Sequence, residues 1–175
     1  MTMLKASPAI SPVQERDQYE ICQLARETWH LHYPGIITVK QIDYMLEQRY
    51  APREIKRLIA SPNCNWLKVE LEHTIRGFGH FDENSAARSI KIDKLYVHPR
   101  AQGLGCGAAL VRHAETHYGR LGFKKISLQV NKGNLAAIAF YVKAGYQKEQ
   151  SIIFNIGQGF VMDDFIMSKA LYLVK

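Results

Sequence analysis

The chain has 175 residues, enough for one domain to bury roughly 70% of the surface its unfolded form exposes, and 47% hydrophobic with 22% charged residues excludes a disordered tail or a fibre. Cys22, Cys64 and Cys106 are widely spaced with no CxxC pair, which argues against a disulfide framework or a zinc cage and fits a reducing, cytoplasmic setting. The N-terminal stretch MTMLKASPAISP lacks the apolar core of a secretory leader, no apolar run nears the ~18 residues of a membrane span, and 23 Lys and Arg against 16 Asp and Glu leave a charge of +7 that favours an anionic partner.

In chain order, Ser11 and Pro12 are expected to open a first helix, as N-cap and first helical residue, with Gln14 closing a capping box. Ile21, Leu24, Ala25, Thr28 and Leu31 recur at helical spacing until Pro34-Gly35. Thr38 caps a second helix through Met45 and Leu46, and a third follows Pro52 and ends before Ser61-Pro62. From Trp66 the period changes to two, and a polar turn at His73-Thr74 joins two strands into a hairpin. The next strand, Ser89 to Val97, slips phase, because Ile90 and Ile92 sit at even positions while Leu95 and Val97 sit at odd ones. One extra residue near Asp93-Lys94 restores a single apolar face, so a β-bulge is expected there. A helix from Gly105 with Leu110, Val111, Ala114 and Tyr118 inward leads into a strand carrying Ile126, Leu128 and Val130. A short helix from Asn134 ends at Gly145, and two strands joined by Gly157-Gln158-Gly159 close the chain. With no repeat or linker, residues 1–175 read as a single α/β domain with a helical front.

Three glycines, Gly103, Gly105 and Gly107, lie between a strand and a helix, where backbone N–H groups and a helix N-terminus cradle phosphate. No Lys-Ser/Thr follows at P-loop spacing, and the third glycine and the acidic residue of a dinucleotide fingerprint are missing. A tight turn with no ligand is the competing reading until the whole pattern is taken, Gln102-Gly103-Leu104-Gly105-Cys106-Gly107 after Leu-Tyr-Val-His-Pro. That stretch resembles motif A of the GNAT superfamily of N-acetyltransferases, and LQVNKGNLAAIAFYVKAGY, from Leu128 to Tyr146, resembles its motif B. The resemblance covers residues 66–169. The front run TWHLHYPGIITVKQIDYMLEQRY and the ending FNIGQGFVMDDFIMSKAL look most like the PaiA-like branch, associated with acetylating polyamines and small amines.

The resemblance implies a mixed, largely antiparallel sheet with flanking helices, a bulge on the fourth strand, and two splayed parallel strands that admit acetyl-CoA as cosubstrate, with no metal. It implies that the loop amides of Gln102, Gly103, Leu104, Gly105, Cys106, Gly107 and Ala108 hold the pyrophosphate, with Cys106 passive. Asn134, Ala137 and Tyr141 share one helix face; the resemblance implies that the cofactor lies along it with Tyr141 as the general acid at the sulfur, the competing reading of Tyr141 being a core aromatic. The resemblance further implies that a backbone N–H of Leu95, Tyr96 or Val97 holds the oxyanion. Where some relatives carry a glutamate base this chain has Lys91, so Asp93 is the candidate base or amine-binding group, with a bland surface aspartate as its alternative. Glu27, His30 and His32, at the end of the first helix, are the candidate acceptor-binding residues.

The expected reaction is transfer of acetyl to the primary amine of a small molecule, a polyamine among the candidates, by direct attack in a ternary complex. A protein or peptide N-acetyltransferase and a non-catalytic CoA sensor are the alternatives. Nucleic acid is disfavoured because Lys and Arg are dispersed and no DNA- or RNA-binding signature appears. A membrane partner is not expected, and a homodimer stays open.

Overall fold

The computed structural model describes residues 7–61 and 64–172, apart from the side chain of Cys64. Pro62 and the first six residues, on which two of the expectations above fall, lie outside them. The elements in order are β1 (Ala9–Pro12), α1 (Gln18–His32), α2 (Val39–Tyr50), α3 (Pro52–Ile59), β2 (Cys64–Leu71), β3 (Thr74–Asn84), β4 (Ser89–Val97), α4 (Cys106–Arg120), β5 (Lys125–Asn131), α5 (Leu135–Lys143), β6 (Gln147–Gly157) and β7 (Phe160–Ala170). The seven strands form one sheet in the order β1-β2-β3-β4-β5-β7-β6. Every neighbouring pair is antiparallel except β4 and β5. Among the described residues no helix is long and apolar enough to cross a membrane.

One correction falls at the front. Ser11 and Pro12 do not open a helix; they end β1, where Ile10 pairs with Val69 of β2 and the Val13 amide donates to the Trp66 carbonyl at 3.0 Å. Local capping signals lose here to pairing with a strand more than fifty residues away, an instance of tertiary context overriding propensity. The box forms later, where the Gln14 amide donates to Asp17 Oδ2 at 2.8 Å, and α1 starts at Gln18. Ile21, Leu24, Ala25 and Thr28 are buried as expected, but Leu31 is 66% exposed.

The other boundaries follow the sequence signals. Thr38 caps α2 by accepting from the Gln41 amide at 3.2 Å. Gly105 caps α4 with φ +87°. Gly145, just past α5, takes the left-handed conformation with φ +92°, which only glycine adopts without strain. Helices cover both faces of the sheet. On one, α1, α2 and α3 bury Ile21, Trp29, Ile42 and Ile55 against Trp66, Ile75 and Phe78. On the other, α4 and α5 bury Val111, Ala114, Tyr118 and Ile138 against Ile90, Ile92, Ile126 and Leu128.

The bulge is present. Lys94 pairs with His80 and Ile92 with Phe81, so Asp93 is the residue without a partner on β3. Ile90, Ile92, Leu95 and Val97 therefore all pack on the α4 side. Parallel pairing between β4 and β5 runs from Ser89–Lys125 to Ile92–Leu128 and ends at the bulge. Beyond it the two strands diverge, and the edges of Leu95 to Val97 that would have paired with β5 face a gap.

Candidate active site

That gap opens into a cleft of about 770 Å³ lined by β4, β5, the glycine loop, α5 and the ends of α1 and α2. At one end, Gly103 and Gly105 have φ of +76° and +87°, with open space where a Cβ would stand. The loop is built so that its backbone is the surface. The first amides of α4, from Cys106 to Ala108, have no intrahelical acceptor, and they sit at the positive end of a 15-residue helix. Gln102, Gly103, Gly105, Cys106, Gly107 and Ala108 line the cleft. Leu104 does not: its amide donates to the Ala101 carbonyl at 3.3 Å, and its side chain, 44% exposed, lies outside. Cys106 is buried, and burial pushes its thiol up, the opposite of a reactive thiolate.

A Gly105→Val substitution adds two consequences at once, backbone strain at φ +87° and a branched side chain in the space where an anion would approach the amides. The expected result is a Kd for CoA raised by about tenfold or more, read by isothermal titration; an unchanged Kd would show that this loop does not hold the cofactor.

Along the floor, Asn134, Ala137 and Tyr141 face the cleft from α5. The ring of Tyr141 packs edge-on against Phe140 and Tyr146, at centroid separations of 5.0 and 5.4 Å, and burial raises its phenol so that it stays protonated. Asn134 is more occupied than the sequence suggests. Its Oδ1 caps α5 by accepting from the Ala137 amide at 3.1 Å and also accepts from His32 Nε2 at 3.0 Å. His32 thus ties the end of α1 to the start of α5.

The other two candidates for acceptor binding turn away. Glu27 lies 3.3 Å from His98 Nε2, and His30 hydrogen-bonds Asp43 at 3.0 Å, both at the surface and outside the cleft. Helical geometry explains the split. Glu27, His30 and Leu31 share one face of α1, whereas Thr28, Trp29 and His32, with Tyr33 just after the helix, face the cavity. Trp29 stacks on Tyr33 with centroids 4.4 Å apart, and the hydroxyls of Tyr33, Tyr96 and Tyr50 interact in series, burial raising all three.

Asp93 lines the cleft but is heavily engaged. Arg49 donates to its Oδ1 at 2.6 Å, His80 Nδ1 lies 3.1 Å from Oδ2, and Lys94 also donates to Oδ2. Burial alone would raise its carboxyl; the His80 hydrogen bond and the charges of Lys94 and Arg49 outweigh burial and hold it far below the ordinary carboxylate range. A carboxylate so stabilised is a poor proton acceptor, which argues against a base at Asp93 and for a charge-pairing role. Lys94 is itself buried, its ammonium 5.5 and 5.7 Å from the rings of Tyr50 and Trp66. Among the described residues, His80, Asp82 and Asp93 form a grouping of metal-ligand type. A cation placed there would meet the fixed charges of Arg49 and Lys94.

The sequence reading missed Asp164 on β7. It lines the cleft, is 3% exposed, and lies opposite Asn131 of β5. Burial first, and then the neighbouring Asp163, pushes its carboxyl up to about 6. The available signal was strand parity, since Asp164 is in phase with buried Met162. Over this end of the cleft, α2 clasps the closing hairpin. Gln41 Nε2 donates to the Val161 carbonyl at 2.8 Å, and the Tyr44 hydroxyl donates to that of Ile156 at 2.7 Å.

Residues 19–146 match the model of the acetyltransferase (GNAT) family. Spermidine N(1)-acetyltransferase from Thermoplasma acidophilum is 24% identical over 151 residues, covering 84% of this chain and 90% of that protein. A crystal structure of PaiA N-acetyltransferase from the same organism, in complex with coenzyme A, superposes with a TM-score of 0.82 at 24% identity over 94% of this chain and 99% of that one. Spermidine N-acetyltransferase from Vibrio cholerae, in complex with CoA and spermine, superposes with a TM-score of 0.70 at 19% identity, covering 94% and 96% of the two chains. The family match spans most of the chain, and the chain belongs to the GNAT family of acetyltransferases.

Proposed function

We propose that the protein transfers acetyl from acetyl-CoA to the primary amine of a small molecule, with a polyamine as the leading acceptor class, by direct attack in a ternary complex. The observation that carries the reading is the gap beyond Ile92–Leu128, which joins the open glycine loop at one end to a polar, roofed chamber at the other. The open backbone at Gly103 and Gly105 fits a pyrophosphate. Acetyl-CoA supplies a thioester whose carbonyl is open to attack by a neutral amine.

The chain's own groups then have distinct tasks. An amide on Leu95, Tyr96 or Val97 donates to the carbonyl oxygen as negative charge develops there. Tyr141, kept protonated by its apolar surroundings, gives its proton to the departing sulfur. Asp93 acts as a fixed counter-ion that holds Arg49 and Lys94 beside the cleft. His32 orients Asn134 and with it the start of the helix that carries Tyr141.

The small-molecule acceptor is favoured over a protein by the roof. An extended peptide needs an open groove, and the contacts of Gln41 and Tyr44 with the closing hairpin narrow that route. The names of the spermidine acetyltransferases that resemble the chain support the same class. The test is release of CoA thiol from acetyl-CoA over a panel of spermidine, spermine, small monoamines and basic peptides. Turnover on amines is expected; turnover on peptides alone would move the acceptor to a protein.

A further inference from the structure

Asp164 Oδ1 is fully buried and has no hydrogen-bond partner. A carboxylate oxygen in that condition is costly in a resting protein, and this one lines the acceptor end of the cleft rather than a sealed core. The cations around it are committed elsewhere. Lys132, in the turn before α5, pairs with Asp163, while Arg49 of α2 and Lys91 of β4 pair with Asp93. Asp163, the preceding residue on the same strand, and Tyr33, just beyond α1, also interact electrostatically with Asp164.

We propose that Asp164 binds the ammonium of the acceptor and takes its proton directly, so that it is the catalytic base of the acyl transfer read above, on which this inference rests. One proton passes from R–NH3⁺ to the Asp164 carboxylate, freeing the nitrogen lone pair. The C–N bond forms as the C–S bond breaks, and the sulfur receives the proton of Tyr141. The second proton lost by nitrogen restores Tyr141, and Asp164 releases its own to solvent. The sum is an acetamide, a thiol and one proton. Low polarity drives the first transfer, because burial raises a carboxyl and lowers an ammonium, so the buried ion pair converts readily to neutral amine and neutral acid.

The experiment compares wild type with Asp164→Asn, which keeps the size of the side chain, and Asp164→Glu, which keeps the carboxyl. For the best amine, kcat/KM at neutral pH should fall by about a hundredfold in Asp164→Asn and recover in part in Asp164→Glu. The wild-type pH profile should fall as pH drops through about 6, where the carboxyl protonates, and this limb should vanish in Asp164→Asn. Calorimetry should show the amine binding more weakly to the CoA complex of Asp164→Asn, with the Kd for CoA itself unchanged, which also reports that the variant is folded. Turnover within about threefold of wild type with the same acid limb would overturn the assignment while leaving the acetyltransferase reading intact. A wild type that releases thiol with no amine would bring down that reading and this inference together.

Discussion

Tyr141→Phe is expected to lower kcat by about a hundredfold or more, the usual contribution of a positioned general acid, while the Kd for CoA stays at the wild-type value. The substitution removes one oxygen from a ring whose packing against Phe140 and Tyr146 is otherwise untouched. If the hydroxyl protonates sulfur, its loss is felt only as the C–S bond breaks, so kcat and kcat/KM fall together and binding does not change. Steady-state kinetics with a saturating amine, alongside a CoA titration, separates the two quantities. Wild-type turnover in the variant would return Tyr141 to the status of a core aromatic. A CoA affinity that fell in step with kcat would mean that the hydroxyl holds the cofactor rather than the departing sulfur.

The second large effect concerns stability. Asp93→Asn leaves Arg49 and Lys94 without their shared carboxylate, and Lys94 is only 3% exposed. Uncovering a buried charge in this way costs roughly 3–5 kcal/mol, a large share of the ~5–15 kcal/mol that holds a domain folded. The expected readout is a urea unfolding midpoint well below wild type with an unchanged m-value. The pH dependence has a definite sign. The native carboxyl lies below its ordinary value of 3.8, so its contribution is fully present at neutral pH and is lost as pH falls through and below that value. Wild type should therefore lose stability in acid faster than Asp93→Asn, and the two curves should converge at low pH. Curves that stay parallel would mean that the network around Asp93 holds no net stability.

How much of this was legible beforehand depended on how local the determinant is. The bulge was, because a phase slip between Ile92 and Leu95 has a single cheap remedy in an alternating strand. The glycine loop and the caps at Thr38 and Gly145 were too, since each states a backbone conformation within a few residues. The start of α1 was not, because the segment 9–12 is recruited by an edge of β2 far along the chain. For the acceptor end, the chemistry of Glu27 and His30 points to a face of α1 that lies outside the cleft, whereas Thr28, Trp29 and His32 mark the face that turns inward. Asp164 stayed hidden because Asp163-Asp164 in a terminal strand looks like a solvated pair. Its burial shows only in the folded cleft, between β5 and β6.

The short seam between β4 and β5 also bears on how the molecule holds together. Two antiparallel sets, β1 to β4 and β5 with β7 and β6, meet through the pairs from Ser89–Lys125 to Ile92–Leu128 and nothing further along those strands. Acetyl-CoA bound there as proposed would touch both sets and so would bridge the sheet beyond the point where the bulge interrupts the ladder. Occupancy and cohesion of the sheet are then one equilibrium: at a hundredfold excess over its Kd, such a ligand adds about 2.7 kcal/mol to the unfolding free energy. The melting temperature is therefore expected to rise with CoA concentration, and a melting temperature unmoved by CoA would show that the seam is not bridged.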